Sequence, residues 1–191
     1  GDLSTMLLNA NVERLTAFEP SAKLFQSLNE KLKNQSRADL LNGFFTLDSS
    51  PSEVDATVYV NVLEHIENDY EELQVNFQVL KPNGHLLIFV PALSWLFSEA
   101  DRQMGHFRRY SKRQLVERVQ QAGFEVIKVR YFDIAGILPW FVNFTLLNNK
   151  FNSKSVEIYD RHVVPKMKAI EGLVSPPVGK NILLVAQKPH C

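Results

Sequence analysis

Cysteine is nearly absent. The one copy, Cys191, is the last of 191 residues. A lone terminal thiol makes no internal disulfide and no cysteine-based metal site, so a reducing cytoplasmic setting is the default expectation. Neither sign of charge dominates. Lys and Arg total 21, as do Asp and Glu, so net charge gives no pointer to a nucleic-acid partner. No apolar run reaches the ~20 residues of a bilayer span. The most apolar stretch, Ile134 to Leu147, is interrupted by Pro139 and Asn143. No signal-peptide pattern opens the sequence, and no internal repeat appears. Gly-x-Ser-x-Gly, a phosphate-loop lysine, His-Glu-x-x-His and paired cysteines are all missing. No metal site is therefore expected from motifs.

What is present suits one α/β domain with a sizeable core: 45% of residues are hydrophobic and 22% charged. Ala56-Thr57-Val58-Tyr59-Val60 is a run of β-branched and aromatic residues, suited to a strand buried on both faces of a parallel sheet. It closes on a polar cluster, Asn61, Glu64 and His65. Ligands of open α/β sheets sit beyond the carboxyl ends of the strands, which makes Asn61 to His65 a candidate ligand edge. The alternative is that these side chains only tie off a strand-to-helix turn.

Upstream, Gly1-Asp2-Leu3-Ser4 reads as a glycine turn opening a helix. A parallel sheet would have a strand before that turn. The expectation is a single domain over 1–191, cut just inside its first ligand-binding loop. Leu15 to Glu19 reads as a short strand with an acid at its carboxyl end. Pro20 breaks it, and Ser21 caps a helix carrying Leu24, Phe25, Leu28 and Leu32. Glu19 lies 18 residues after Gly1. In dinucleotide-type folds an acid about 20 residues past the glycine loop accepts hydrogen bonds from ribose hydroxyls. The alternative is a surface acid favoured by the helix dipole. Leu40 to Leu47 is predicted as a short strand, with Asn42-Gly43 its weak point.

Asn68, with Glu71 three residues on, starts the next helix. Ile66, Tyr70, Leu73, Phe77 and Leu80 form its apolar stripe, and Lys81-Pro82-Asn83-Gly84 stops it. Leu86 to Val90 is a second buried strand, ended by Pro91. From Ala92 to Tyr110 no periodicity appears, and loops this long are usually functional or ordered by their own side chains. Arg108 and Arg109 beside His106 could bind a phosphate or carboxylate. Alternatively they pair with Glu99 or Asp101 and hold the loop shut. His106 is a candidate general base.

Ser111 and Gln114 form a capping box for a helix lined by Leu115, Val119 and Ala122 and ended by Gly123. Phe124 to Phe132 reads as a strand near the sheet edge, with Ile127, Val129 and Tyr131 on one face. Ile134 to Leu147 has three readings: a helix covering the sheet and closing a pocket, a membrane-surface contact, or a partner surface. The first is preferred, because an active site needs a wall and no basic face accompanies the stretch. Val156 to Val174 is predicted helical, broken at Pro165, and Ile182 to Ala186 is the final strand.

Val62-Leu63-Glu64-His65-Ile66, then Val79-Leu80-Lys81-Pro82-Asn83-Gly84, then the strand His85 to Val90, resemble a class I S-adenosylmethionine-dependent methyltransferase. That family usually reads VLEHI and VLKPGG here, and Asn83 stands where it has its first glycine. Gly105-His106-Phe107-Arg108-Arg109-Tyr110 resembles the GHxRRY signature of one bacterial branch. The resemblance implies a Rossmann-like sandwich, its sheet mostly parallel with an antiparallel last strand, the first strand missing from this chain. It implies S-adenosylmethionine along the carboxyl edge. Gly1 would belong to the glycine loop, and Glu19, next to Pro20, would hold the ribose. Phe44 or Phe45 would flank the adenine, with core packing as their alternative reading. A phenylalanine cannot accept the adenine amine proton, whereas Asp48 could. Asn61, Val62 and Leu63 would face the methionine part through backbone groups. Trp95, His106, Arg108, Arg109 and Tyr110 would line the acceptor pocket, with 92–110 and 133–175 as acceptor-side loops and lid.

The implied activity is methyl transfer to a small-molecule acceptor, with a lipid-linked or sugar-type intermediate as the suggested class. Two rivals stand beside it. One is a non-catalytic methyltransferase-like module holding a partner through Ile134 to Leu147. The other is a nicotinamide-dependent oxidoreductase, which the Leu-Glu-His-Ile motif fits poorly. No nucleic acid is implied, peripheral membrane contact stays open, and the oligomeric state is not legible.

Overall fold

The computed structural model describes residues 1–51, 53–147 and 176–190. The helix predicted over Val156 to Val174 lies outside the described residues. The chain divides into two compact units, Gly1–Pro51 and Ser52–Cys191.

In the first unit, helix α1 (Asp2–Asn9) precedes strand β1 (Leu15–Phe18), helix α2 (Ala22–Leu32) and strand β2 (Ala38–Leu41). Ser21 starts α2 as its sequence position predicts, its Oγ accepting from the Leu24 amide at 3.4 Å. The strands pair parallel, from Leu15 opposite Ala38 to Phe18 opposite Leu41. Leu8, Leu28 and Leu32 form the core, with Leu15, Ala17, Ala38 and Leu40 against them. The strand predicted over Leu40 to Leu47 instead ends at Leu41. Asn42 leaves the ladder and donates through Nδ2 to the Glu19 carbonyl at 2.8 Å. Thr46 and Ser49 then exchange side-chain and main-chain bonds in a polar turn. The turn chemistry of Asn-Gly outweighs the apolar residues that flank it here.

The second unit carries strand β3 (Val54–Val60), helix α3 (Asp69–Val79), strand β4 (Leu80–Pro91), helices α4 (Glu99–Gln103) and α5 (Lys112–Gln121), strand β5 (Glu125–Phe132), helix α6 (Ile137–Trp140) and strand β6 (Asn181–Gln187). Its sheet has the order β3-β4-β6-β5. β3 and β4 are parallel, while β6 lies between β4 and β5 and runs antiparallel to both. Leu86, Ile88 and Val90 of β4 and Ile182, Leu184 and Ala186 of β6 are fully buried. So are Leu115 and Val119 of α5, and Leu73 of α3 is 1% exposed. Each large aliphatic among them contributes roughly 1.5–3 kcal/mol by leaving water.

Local signals fixed most boundaries. Asn68 caps α3, accepting from the Glu71 amide at 3.3 Å. Ser111 and Gln114 close their capping box at 3.2 and 3.1 Å. Gly123 ends α5 at φ +101°, where a Cβ would sit 2.9 Å from the Phe77 ring. Asn83 takes φ +64°, the left-handed geometry that asparagine tolerates in a glycine's place. One prediction fails on β5. A bulge between Val126 and Lys128 breaks the alternation and turns Ile127 to solvent, 54% exposed. Among the described residues, no helix is long and apolar enough to cross a membrane.

Candidate functional site

β4 is parallel to β3 and antiparallel to β6, which is antiparallel to β5, so β3, β4 and β5 end on one edge. A non-glycine residue in the left-handed region follows each: Asn61 (φ 52°), Leu93 (φ 64°) and Asp133 (φ 61°). A leucine there is a genuine outlier. It is held by its amide bond to the Tyr110 carbonyl at 3.0 Å and by a bridge between Ala92 and Tyr110. Such strain gathers at functional edges, where surrounding structure over-determines it.

Beyond Asn61 the chain makes one 3-10 turn, Leu63–His65. The turn buries Leu63 and Glu64 completely and leaves His65 exposed. Both carboxylate oxygens of Glu64 are buried with no hydrogen-bond donor among the described residues. Burial raises its pKa to about 7. The nearby main-chain amide of Glu64 itself, short of bonding geometry, and the charges of His106 and Arg109 only partly oppose this.

Two histidines stand over this carboxyl. His106 places Nε2 4.0 Å from Glu64 Oε1, while its Nδ1 lies 3.0 Å from Asp101 Oδ1. His65 meets the His106 ring edge-on, centroids 4.6 Å apart, and sets its Nδ1 3.2 Å from the Gly105 carbonyl. Ionised Asp101 and a carbonyl can only accept. Both histidines are therefore assigned a proton on Nδ1. Burial and the His106 charge lower the His65 pKa, against the Gly105 bond.

Asp101 orders the loop. Its Oδ2 accepts from the Ser98 amide and hydroxyl, and its Oδ1 from His106 and from Arg109 Nε at 2.8 Å. Burial pushes its carboxyl up, but the His106 bond, the Arg109 charge and the Ser98 amide hold it below the usual carboxylate range. Arg109, its side chain 2% exposed, also reaches the Ala92 carbonyl and lies under the Trp140 ring, 4.3 Å from the centroid. Arg108 pairs with Asp69 at 2.9 Å and donates to the carbonyls of Ile66 and Glu67. The Tyr110 hydroxyl donates to Asp69 at 2.8 Å. The 92–110 loop is thus folded onto itself and onto the Leu63–His65 turn. Arg109 pairs with Asp101, one of the partners the sequence offered, whereas Arg108 pairs with Asp69 rather than with Glu99 or Asp101.

Trp95 is 58% exposed and edge-on to Phe141 at 5.9 Å. The apolar stretch forms α6 and then a π-helical turn, Phe141–Leu146, with no buried residue. Trp140 and Thr145 fasten it to the Leu96 carbonyl. Leu138, Leu146 and Leu147 remain well exposed.

In the first unit, Glu19 accepts from the Ser21 amide at 2.9 Å through one carboxylate oxygen. Pro20 is exposed beside it. Phe45 packs edge-on to Phe18 at 5.4 Å, whereas Phe44 is 75% exposed and belongs to no core. Gly1 caps α1, its carbonyl accepting from Thr5. In the second unit Asn61 and Val62 are exposed at the strand end, while the Leu63 side chain is in the core.

Sequence reading missed one grouping, that of Glu64, His65 and His106. His106 lies 41 residues beyond His65, and no spacing rule links them. The only available signal was two polar clusters, each placed independently at the same sheet edge.

A family model for the methyltransferase domain matches residues 3–129. No curated protein matches the sequence. Solved structures share the fold. A S-adenosylmethionine-dependent methyltransferase from Mesorhizobium loti is 11% identical, over 93% of this chain and 81% of its own, with a TM-score of 0.59. The N-methyltransferase NodS from Bradyrhizobium japonicum, in complex with S-adenosyl-L-homocysteine, is 12% identical over 92% and 67%, with a TM-score of 0.54. The [4+2]-cyclase SpnF is 19% identical over 98% and 71%, with a TM-score of 0.62. At these identities the likeness establishes the Rossmann-like methyltransferase fold, a mostly parallel α/β arrangement with one antiparallel strand. Because the family model spans well over half of its length, the chain belongs to the methyltransferase-domain family.

Proposed function

We propose that this chain transfers a methyl group from S-adenosylmethionine to a small-molecule acceptor. The observation that carries the proposal is the family match over 3–129, which includes both Glu19 and the Leu63–His65 turn. NodS, of the same fold, holds the demethylated form of that cofactor. Within each unit, residues suited in chemistry to parts of the cofactor are present. Glu19 has one oxygen committed to Ser21 and acceptor capacity left for ribose hydroxyls. Phe44 presents an uncovered ring suited to stacking on a purine. Asn61 and Val62 offer main-chain groups at a strand end. Gly1 and Pro20 are the further contacts proposed within the first unit.

When bound, the cofactor supplies a methyl on a sulfonium, already activated for in-line displacement. The protein's part is then alignment and exclusion of water. The His106 side chain is 10% exposed, with its free nitrogen toward Glu64, so no protein base is assigned. Arg108, Arg109 and Tyr110 act as positioning residues that hold the loop. Support for an apolar or lipid-linked acceptor comes from Trp95 and the uncovered Leu138, Leu146 and Leu147.

Calorimetric titration of the full chain with S-adenosyl-L-homocysteine tests the reading. Glu19→Ala should weaken binding by about 1–3 kcal/mol, roughly 5- to 150-fold. Absence of binding by the wild type would overturn the proposal. SpnF shows that this fold also serves a cyclase, so methyl release must be measured as well.

A further inference from the structure

We propose that Glu64, His65 and His106 form a binding site for one divalent first-row transition ion, held by a carboxylate oxygen and two imidazole nitrogens. One ligand atom from each residue lies within 4.8 Å of the others. Ligands of a tetrahedral zinc lie roughly 3.3 Å apart, so closure needs movements of about 1.5 Å at most. Exposed His65 has room to make them.

Three features distinguish this group from a chance cluster. Glu64 is fully buried, and both its oxygens lack any donor among the described residues. A carboxylate is costly to bury in that state unless a cation completes it. His106 is held at Nδ1 by Asp101, leaving Nε2 directed toward Glu64. That is the carboxylate–histidine arrangement which orients an imidazole for a metal and raises its basicity. His65 is held in the same sense, by a carbonyl at Nδ1. The carbonyl belongs to Gly105, whose φ of +81° is strained for any side chain. Asp101 is itself fixed by Ser98 and Arg109, so the supporting shell is complete without the ion.

Two nitrogens and one oxygen suit zinc, cobalt, nickel or iron(II) rather than calcium or magnesium, which prefer all-oxygen sets. Three protein ligands leave at least one position for water or another oxygen. This inference does not depend on methyl transfer.

The test uses the full chain without a histidine tag, stripped with EDTA. Co²⁺ uptake is followed by its visible absorption and Zn²⁺ uptake by calorimetry at pH 7.5. One ion per chain is expected, with binding weakened about 100-fold or more in Glu64→Gln, His65→Ala and His106→Gln. His190→Ala, which alters a histidine bonded to Asn83, should bind like the wild type. Because His65 is exposed, His65→Ala keeps the fold and remains informative if the buried variants do not. A wild type that takes up no ion, or a His65→Ala variant that binds as the wild type does, overturns the proposal.

Discussion

Asp69 and Glu64 lie five residues apart, and both carboxylates are buried, at 3% and 0% exposure. Their surroundings are opposite. Asp69 receives the Tyr110 hydroxyl at 2.8 Å, Arg108 at 2.9 Å and Arg118 at 3.5 Å. Glu64 receives no hydrogen bond among the described residues and faces two imidazoles. A buried carboxylate with its partners in place is a fastening. One left without them lowers stability and calls for an explanation of its own.

The largest expected effect is on the fastened side. Asp69→Ala strands Tyr110 and two arginines and should cost about 3–5 kcal/mol in urea unfolding. A loss under 1 kcal/mol would erase the contrast. The Glu64 side should show the reverse, in EDTA. Its folded pKa, about 7, lies above the ordinary 4.5. Below pH 4.5 both states carry the proton. As pH rises from 4.5 to 7, the unfolded chain releases it first, so stability falls through that window and then levels. The drop from this group is about 3 kcal/mol. Glu64→Gln should lack it, so melting curves at pH 4.5 and 7.5 should diverge in the variant's favour.

Smaller effects refine the picture. Tyr110→Phe removes one donor from Asp69 and leaves both arginines, at a cost of about 2 kcal/mol. His65→Ala, at an exposed position with one carbonyl partner, should change metal-free stability by less than about 0.5 kcal/mol. A large loss there would make His65 a structural residue like Tyr110.

Legibility in the sequence followed the range of each interaction. Asn68, Ser21, Ser111 with Gln114, and Gly123 act within a turn of themselves, and their positions announced the helix boundaries. The continuous apolar runs Leu86 to Val90 and Ile182 to Ala186 announced the buried strands. The bulge that exposes Ile127 depends on pairing with β6, more than fifty residues away, and left no local mark. Asn42-Gly43 did carry a turn signal, yet the flanking apolar residues masked it. At the site, the polar end of β3 was visible in Asn61, Glu64 and His65. The pairing of Arg109 with Asp101 stood among the readings of the 92–110 loop, whereas the partnership of Glu64 with His106 joins residues on separate elements.

The loop over Glu64 is pinned by its main chain. The Phe107 amide bonds the Glu64 carbonyl at 2.8 Å, and the His106 amide bonds the Asp101 carbonyl at 2.9 Å. Neither bond depends on which side chain position 106 carries. The backbone therefore delivers position 106 to its place between Asp101 and Glu64 before any side-chain contact is made there.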